Sequence, residues 1–91
     1  MNEHRTIRVH GRVQGVFFRQ STREQAEKLG ICGFARNNAD GTVTIEAEGS
    51  PEALDHLEQW CRHGPPAARV NKVEVQRGEM QQYTTFEVRR G

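Results

Sequence analysis

The segment Gly11-Arg12-Val13-Gln14-Gly15-Val16-Phe17-Phe18-Arg19 combines two glycines with a terminal guanidinium, between an apolar strand pattern and an amphipathic helix pattern. Gly11 and Gly15 are free to take positive φ and let a ligand approach main-chain N–H groups. The helix that follows adds unpaired donors at its start, so the segment is suited to holding an anion. Arg19 falls in the first helical turn, where the positive end of the macrodipole disfavours a cation. A bound anion converts that repulsion into attraction, and the planar guanidinium fork suits two phosphate oxygens. The same residues also fit a plain glycine-containing turn with an exposed arginine, because short glycine-rich patterns are common.

Familiar phosphate chemistries fail at particular positions. A Walker A loop needs Gly-Lys-Ser/Thr at the helix start, and no lysine stands there. A dinucleotide fingerprint needs its second glycine where Val13 stands, and no parallel Rossmann unit follows. A cysteine phosphatase would place its nucleophile at that same Val13. Carboxylate groups suited to Mg²⁺ are absent near the loop. What remains is a set of donors with no evident nucleophile, general acid or metal ligand, so the leaving group must be good by itself. The carboxylate of an acyl phosphate qualifies: its conjugate acid has a pKa of about 4, so it departs without protonation, as an alkoxide does not. Positioning and electrostatics then carry the reaction.

The elements that must hold this loop are readable from periodicity. Thr6-Ile7-Arg8-Val9-His10 alternates as a half-buried strand leading into the loop. Phe18, Thr22, Ala26 and Leu29 recur at helical spacing, with Glu24 and Lys28 as an i,i+4 pair and Gly30 as a stop. Cys32 to Asn37 and the alternating Val43, Ile45 and Ala47 flank the turn Asn38-Ala39-Asp40-Gly41, which predicts a hairpin. Ser50-Pro51 opens a second helix with Leu54, Leu57 and Cys61 on its buried stripe, ending near Gly64-Pro65-Pro66. Val70, Val73 and Val75 mark a fourth strand, and Thr85 to Arg89 a short terminal one beyond the turn-prone Arg77-Gly78. The order predicts an α+β fold, a ferredoxin-like βαββαβ sandwich with a mainly antiparallel sheet, two helices on one face and a short fifth strand. Arg8, Thr42, Thr44, Glu46 and Glu48 are expected on the open face.

At 91 residues the chain is read as a single domain spanning 1–91 with one small core. Its 13 basic and 12 acidic side chains leave a formal net charge of +1, so no global field draws in nucleic acid or anionic membrane. The polar Met1 to Arg5 and the lack of any long apolar run predict a soluble, cytoplasmic protein. Cys32 and Cys61 read as unpaired core thiols. His4, His10, His56 and His63 have no metal-ligand spacing and read as surface or half-buried residues.

Two stretches resemble the signatures of acylphosphatases: Val9 to Arg19, and Gly33-Phe34-Ala35-Arg36-Asn37 followed by Gly41-Thr42-Val43, with Gly49 closing the segment. Trp60, the Gly-Pro segment after it, Ala68 and Val70 extend the resemblance over nearly the whole chain. It implies the ferredoxin-like fold and metal-independent hydrolysis of acyl phosphates to a carboxylate and inorganic phosphate, without a cofactor. It also implies that Arg19 and the backbone N–H groups of Gly11, Arg12, Val13, Gln14, Gly15, Val16 and Phe17 bind the phosphate, while Asn37 orients the attacking water. A carboxamide suits that role, since it accepts from and donates to water without titrating. Taken alone, Asn37 also fits a turn-shaping role beside Asn38 and Asp40. Phe18 reads as a core anchor, and Phe34 and Trp60 as packing residues. A small-molecule acyl phosphate is the expected partner of a monomer. The alternative is a non-catalytic anion-binding or RNA-binding module of the same fold, although the strands offer few aromatics for base stacking.

Overall fold

The computed structural model describes residues 1–90, so Gly91, the last residue of the expected domain, lies outside it. The chain runs β1 (Glu3–Arg12), α1 (Phe18–Leu29), β2 (Cys32–Asn37), β3 (Val43–Gly49), α2 (Pro51–Cys61), β4 (Arg69–Gly78) and β5 (Phe86–Arg89). The strands form one sheet in the order β4-β1-β3-β2-β5, antiparallel except for the parallel pair β2 and β5. This is the expected ferredoxin-like α+β order.

Alternation sets the two faces of the sheet. Ile7 pairs with Ile45 and Val9 with Val43, and Ala35 lies beside Ile45, so these side chains share the helix-covered face. Phe18 and Ala26 of α1 and Leu54, Leu57 and Cys61 of α2 close the core over them, each at most 2% exposed. Ser50 caps α2 by accepting the Ala53 N–H at 3.1 Å, with Pro51 in the first turn. Gly30 ends α1 in the left-handed region, and the Ile31 N–H reaches the Ala26 carbonyl at 2.8 Å.

Several boundaries and exposures depart from periodicity. β1 starts at Glu3 and ends at Arg12 because it is paired on both edges, with β3 and β4, and the ladder carries Gly11 and Arg12 into the strand. β4 likewise runs through Arg77 and Gly78, which pair with Arg5 and His4. The i,i+4 ion pair seen on α1 is Arg23 with Glu27 at 3.3 Å rather than Glu24 with Lys28; exposed pairs of this kind contribute only about 0.2–0.5 kcal/mol, so partner choice is weakly enforced.

The face expected to be open is partly closed. Thr42, Thr44 and Glu48 are buried, and so is His4, contrary to a surface reading. Asn38 Nδ2 donates to Thr42 Oγ1 at 2.9 Å and Thr44 Oγ1 at 2.7 Å. The Glu48 carboxylate receives the backbone N–H groups of Gln81 and Tyr83, which lays the β4-to-β5 connection over the sheet. Phe34, on this face beside Glu46, packs edge-on to Tyr83 and under the Arg89 guanidinium 3.9 Å from its ring centre.

Candidate active site

A cavity of about 530 Å³ opens where the β1-to-α1 loop meets the end of β2. Val13, Gly15, Phe17, Phe18, Arg19 and Gln20 line it from the loop and the first turn of α1, Asn37 from β2 and Val88 from β5. Asn37 lies two residues beyond Ala35, so strand alternation turns it to the same face as the helices.

The loop is held at both ends. Phe18, 2% exposed, enters the core and packs on Trp60 with ring centres 5.4 Å apart. Gly64 makes room for it: a Cβ there would press on the Phe18 ring. Gln14 Nε2 donates to the carbonyls of Asn38 and Thr42 at 2.8 and 2.9 Å, tying the loop to the β2-to-β3 hairpin. Between these anchors Gly15 has φ 73° and Phe17 φ 63°, both left-handed. Gly15 has open space around its missing Cβ, so conformation alone calls for glycine.

Phe17 is the N-cap of α1 and offers no side-chain acceptor, and the first turn contains no acidic residue. The N-terminal donors of α1 thus lack a side-chain cap and keep their electropositive character. Arg19 stands in that turn. Its Nη1 donates to the carbonyl of Arg89 at 2.6 Å, its one hydrogen bond among the described residues, which leaves the rest of the fork available. Asn37 contributes a buried Oδ1 with no hydrogen-bond partner. The hairpin turn is shaped instead by Asp40, which accepts the Thr42 N–H at 3.0 Å and hydroxyl at 2.6 Å, and by Asn38.

Of the residues singled out in the sequence, Val13, Gly15, Phe17, Arg19 and Asn37 share the cavity. Gly11, Arg12, Gln14 and Val16 are outside its lining. Gly11, at φ 127°, sits against β4 where the register shifts, and a Cβ would overlap the Arg69 carbonyl. Arg12 is exposed and Val16 is buried. Gln20 and Val88 also line the cavity, and no motif in the sequence marks either. Gln20 was signalled only by its adjacency to Arg19; Val88 had no signal, since β5 is brought to the site by its long-range pairing with β2 and its contact with α1. Cys61 is fully buried, and burial pushes its thiol pKa up, so it packs as a core residue.

Fold and cavity together define a ferredoxin-like α+β protein whose first strand-to-helix loop shares one cavity with an amide from the hairpin. The chain belongs to the acylphosphatase family, which it matches over residues 5–88. It is 57% identical over 70 residues to an acylphosphatase of Rubrobacter xylanophilus, an overlap of 77% of this chain and 64% of that one. To the acylphosphatase of Alkalilimnicola ehrlichii it is 53% identical over 75 residues, covering 82% and 84%. An acylphosphatase structure from Coxiella burnetii superposes with a TM-score of 0.94 at 36% identity, covering 97% of this chain and 93% of the other. The protein is an enzyme that hydrolyses acyl phosphates, a small-molecule substrate class. None of the helices among the described residues is long and apolar enough to cross a membrane.

Proposed function

We propose that Arg19 and the backbone N–H groups of the loop hold the phosphoryl group of an acyl phosphate while Asn37 orients the water that attacks it. The observation that carries this reading is the buried, unpartnered Oδ1 of Asn37 in the same cavity as Arg19. A buried acceptor that no protein group satisfies is unfavourable, and a water donating to it satisfies the group and directs a lone pair outward. The water oxygen bonds to phosphorus as the phosphorus–oxygen bond to the acyl group breaks, and the electron pair leaves on the carboxylate. The water's proton passes to a phosphoryl oxygen, because neither Arg19 nor Asn37 is a base at neutral pH. Negative charge on the equatorial oxygens meets the guanidinium and the uncapped helix donors. The reaction so drawn needs no cofactor or metal.

The Arg89 carbonyl leaves Arg19 a defined direction, which lowers the entropy lost when it grips phosphate. On this reading the enzyme acts as a monomer, and the free Cys32 and Cys61 thiols support a reducing, cytoplasmic setting. Residues 1–91 act as a single catalytic domain on this reading. The test is hydrolysis of an acyl phosphate in chelator-treated buffer, set against a phosphate monoester. The wild type turns over only the former. Arg19→Ala lowers kcat/KM by at least about a hundredfold, the usual loss for one such donor. Wild-type turnover by that variant would overturn the role of Arg19.

A further inference from the structure

Phe17 combines two features that folding does not explain. It occupies the left-handed region at φ 63°, where a bulky side chain is rare and unfavourable and where glycine would sit without strain. The residue is also 81% exposed, so its apolar surface gains little from the core. An aromatic held in a strained conformation and left in water points to a ligand. Phe17 also lines the cavity with Arg19 and Asn37, and its neighbours there include the apolar Val13, Phe18 and Val88.

From this we infer that Phe17 is a specificity-determining residue that packs against the acyl group, selecting acyl phosphates with a large apolar or aromatic acyl chain over small ones. The inference rests on the water-orienting role proposed for Asn37. In-line displacement places the attacking water and the leaving oxygen on opposite sides of phosphorus. Asn37 Oδ1 is buried and marks the inner end, so the carboxylate departs toward the open end, where Phe17 is exposed. An acetyl group is too short to cover a phenyl ring, whereas a benzoyl group buries apolar area on both partners. Remote binding of this kind adds to kcat/KM for the larger substrate alone.

The test compares kcat/KM for benzoyl phosphate and acetyl phosphate in the wild type, Phe17→Gly, Phe17→Asn and Phe17→Leu. Asparagine tolerates the left-handed backbone yet offers no apolar surface, which separates contact from loop flexibility. The benzoyl-to-acetyl ratio is expected to fall about tenfold in both Phe17→Gly and Phe17→Asn, chiefly through a higher KM for benzoyl phosphate. Phe17→Leu retains most of the ratio. A ratio that stays at the wild-type value in the glycine and asparagine variants, whatever their absolute rates, overturns the inference. Asn37→Ala with wild-type turnover of both substrates would instead remove the water-orienting reading beneath it.

Discussion

Asn37 carries a polar atom that the fold buries and leaves unpaired, and in the proposed reaction that atom belongs to the water. The arrangement predicts opposite effects on activity and stability. Asn37→Ala should lower kcat by about a hundredfold, since misplacing a reactant by an ångström costs that much, while phosphate still competes for the site. Its Tm should match or exceed that of the wild type, because no protein group donates to Oδ1 and none is left unpaired by its loss. Calorimetric phosphate binding, initial rates and a thermal melt separate these effects. Phosphate affinity falling in step with the rate would contradict the assignment. Arg19 was legible from its residue type and position at the helix start; the unpaired state of Asn37 was not, because it depends on Asp40 and Asn38 shaping the turn instead.

The junction of β1 with the loop before α1 holds two glycines that do different work. Gly15 needs glycine only for its positive φ, whereas Gly11 has both a positive φ and the Arg69 carbonyl where a Cβ would be. Gly15→Ala should cost about 1–2 kcal/mol, the left-handed penalty of an ordinary side chain. Gly11→Ala should cost more, since β4 must also move away from β1. Urea midpoints rank the two variants, and equal losses would show that the contact with β4 is unimportant. Sequence spacing marked both glycines as loop residues able to admit a ligand. The structure puts Gly11 inside a paired strand, because β4 supplies the second edge that the local pattern of Thr6 to His10 does not reveal.

Across the whole molecule, His4 joins elements remote in the chain. Its Nδ1 lies 2.6 Å from Glu48 and its Nε2 2.7 Å from Glu46, and Glu48 also receives the β4-to-β5 connection through Gln81 and Tyr83. A neutral imidazole donates from one nitrogen only, so two carboxylate partners call for the protonated ring. Burial pulls the His4 pKa down, but hydrogen bonds to Glu48 and Glu46 outweigh it and raise it above the ordinary 6.5. Burial pushes Glu48 up, and the Gln81 N–H, His4 and the Tyr83 N–H outweigh that and hold it below the ordinary 4.5. The raised His4 stabilises fully below 6.5 and loses its contribution as pH rises through its folded value. The lowered Glu48 contributes above 4.5 and loses it as pH falls through its depressed folded value. Both are in force between those limits. The Tm should therefore fall between mildly acidic and alkaline buffer, and His4→Gln should shrink that difference. An undiminished pH dependence in His4→Gln would assign it to other groups.

The amino-acid sequence by itself determined the order of strands and helices, the strand-to-helix loop with its arginine, and the pairing of β2 with β3 across Asp40-Gly41. Each is written in periodicity or turn chemistry over a few residues. Only the tertiary structure decided that Gln14 ties the loop to the hairpin carbonyls, that the Arg89 carbonyl holds Arg19, and that Val88 and Phe17 share a cavity with Asn37. It also decided that His4, Thr42, Thr44 and Glu48 are buried on a face whose alternation looks open. Those contacts join residues far apart in the chain. They depend on strand order, register and the path of the connection after β4, none of which local side-chain alternation encodes.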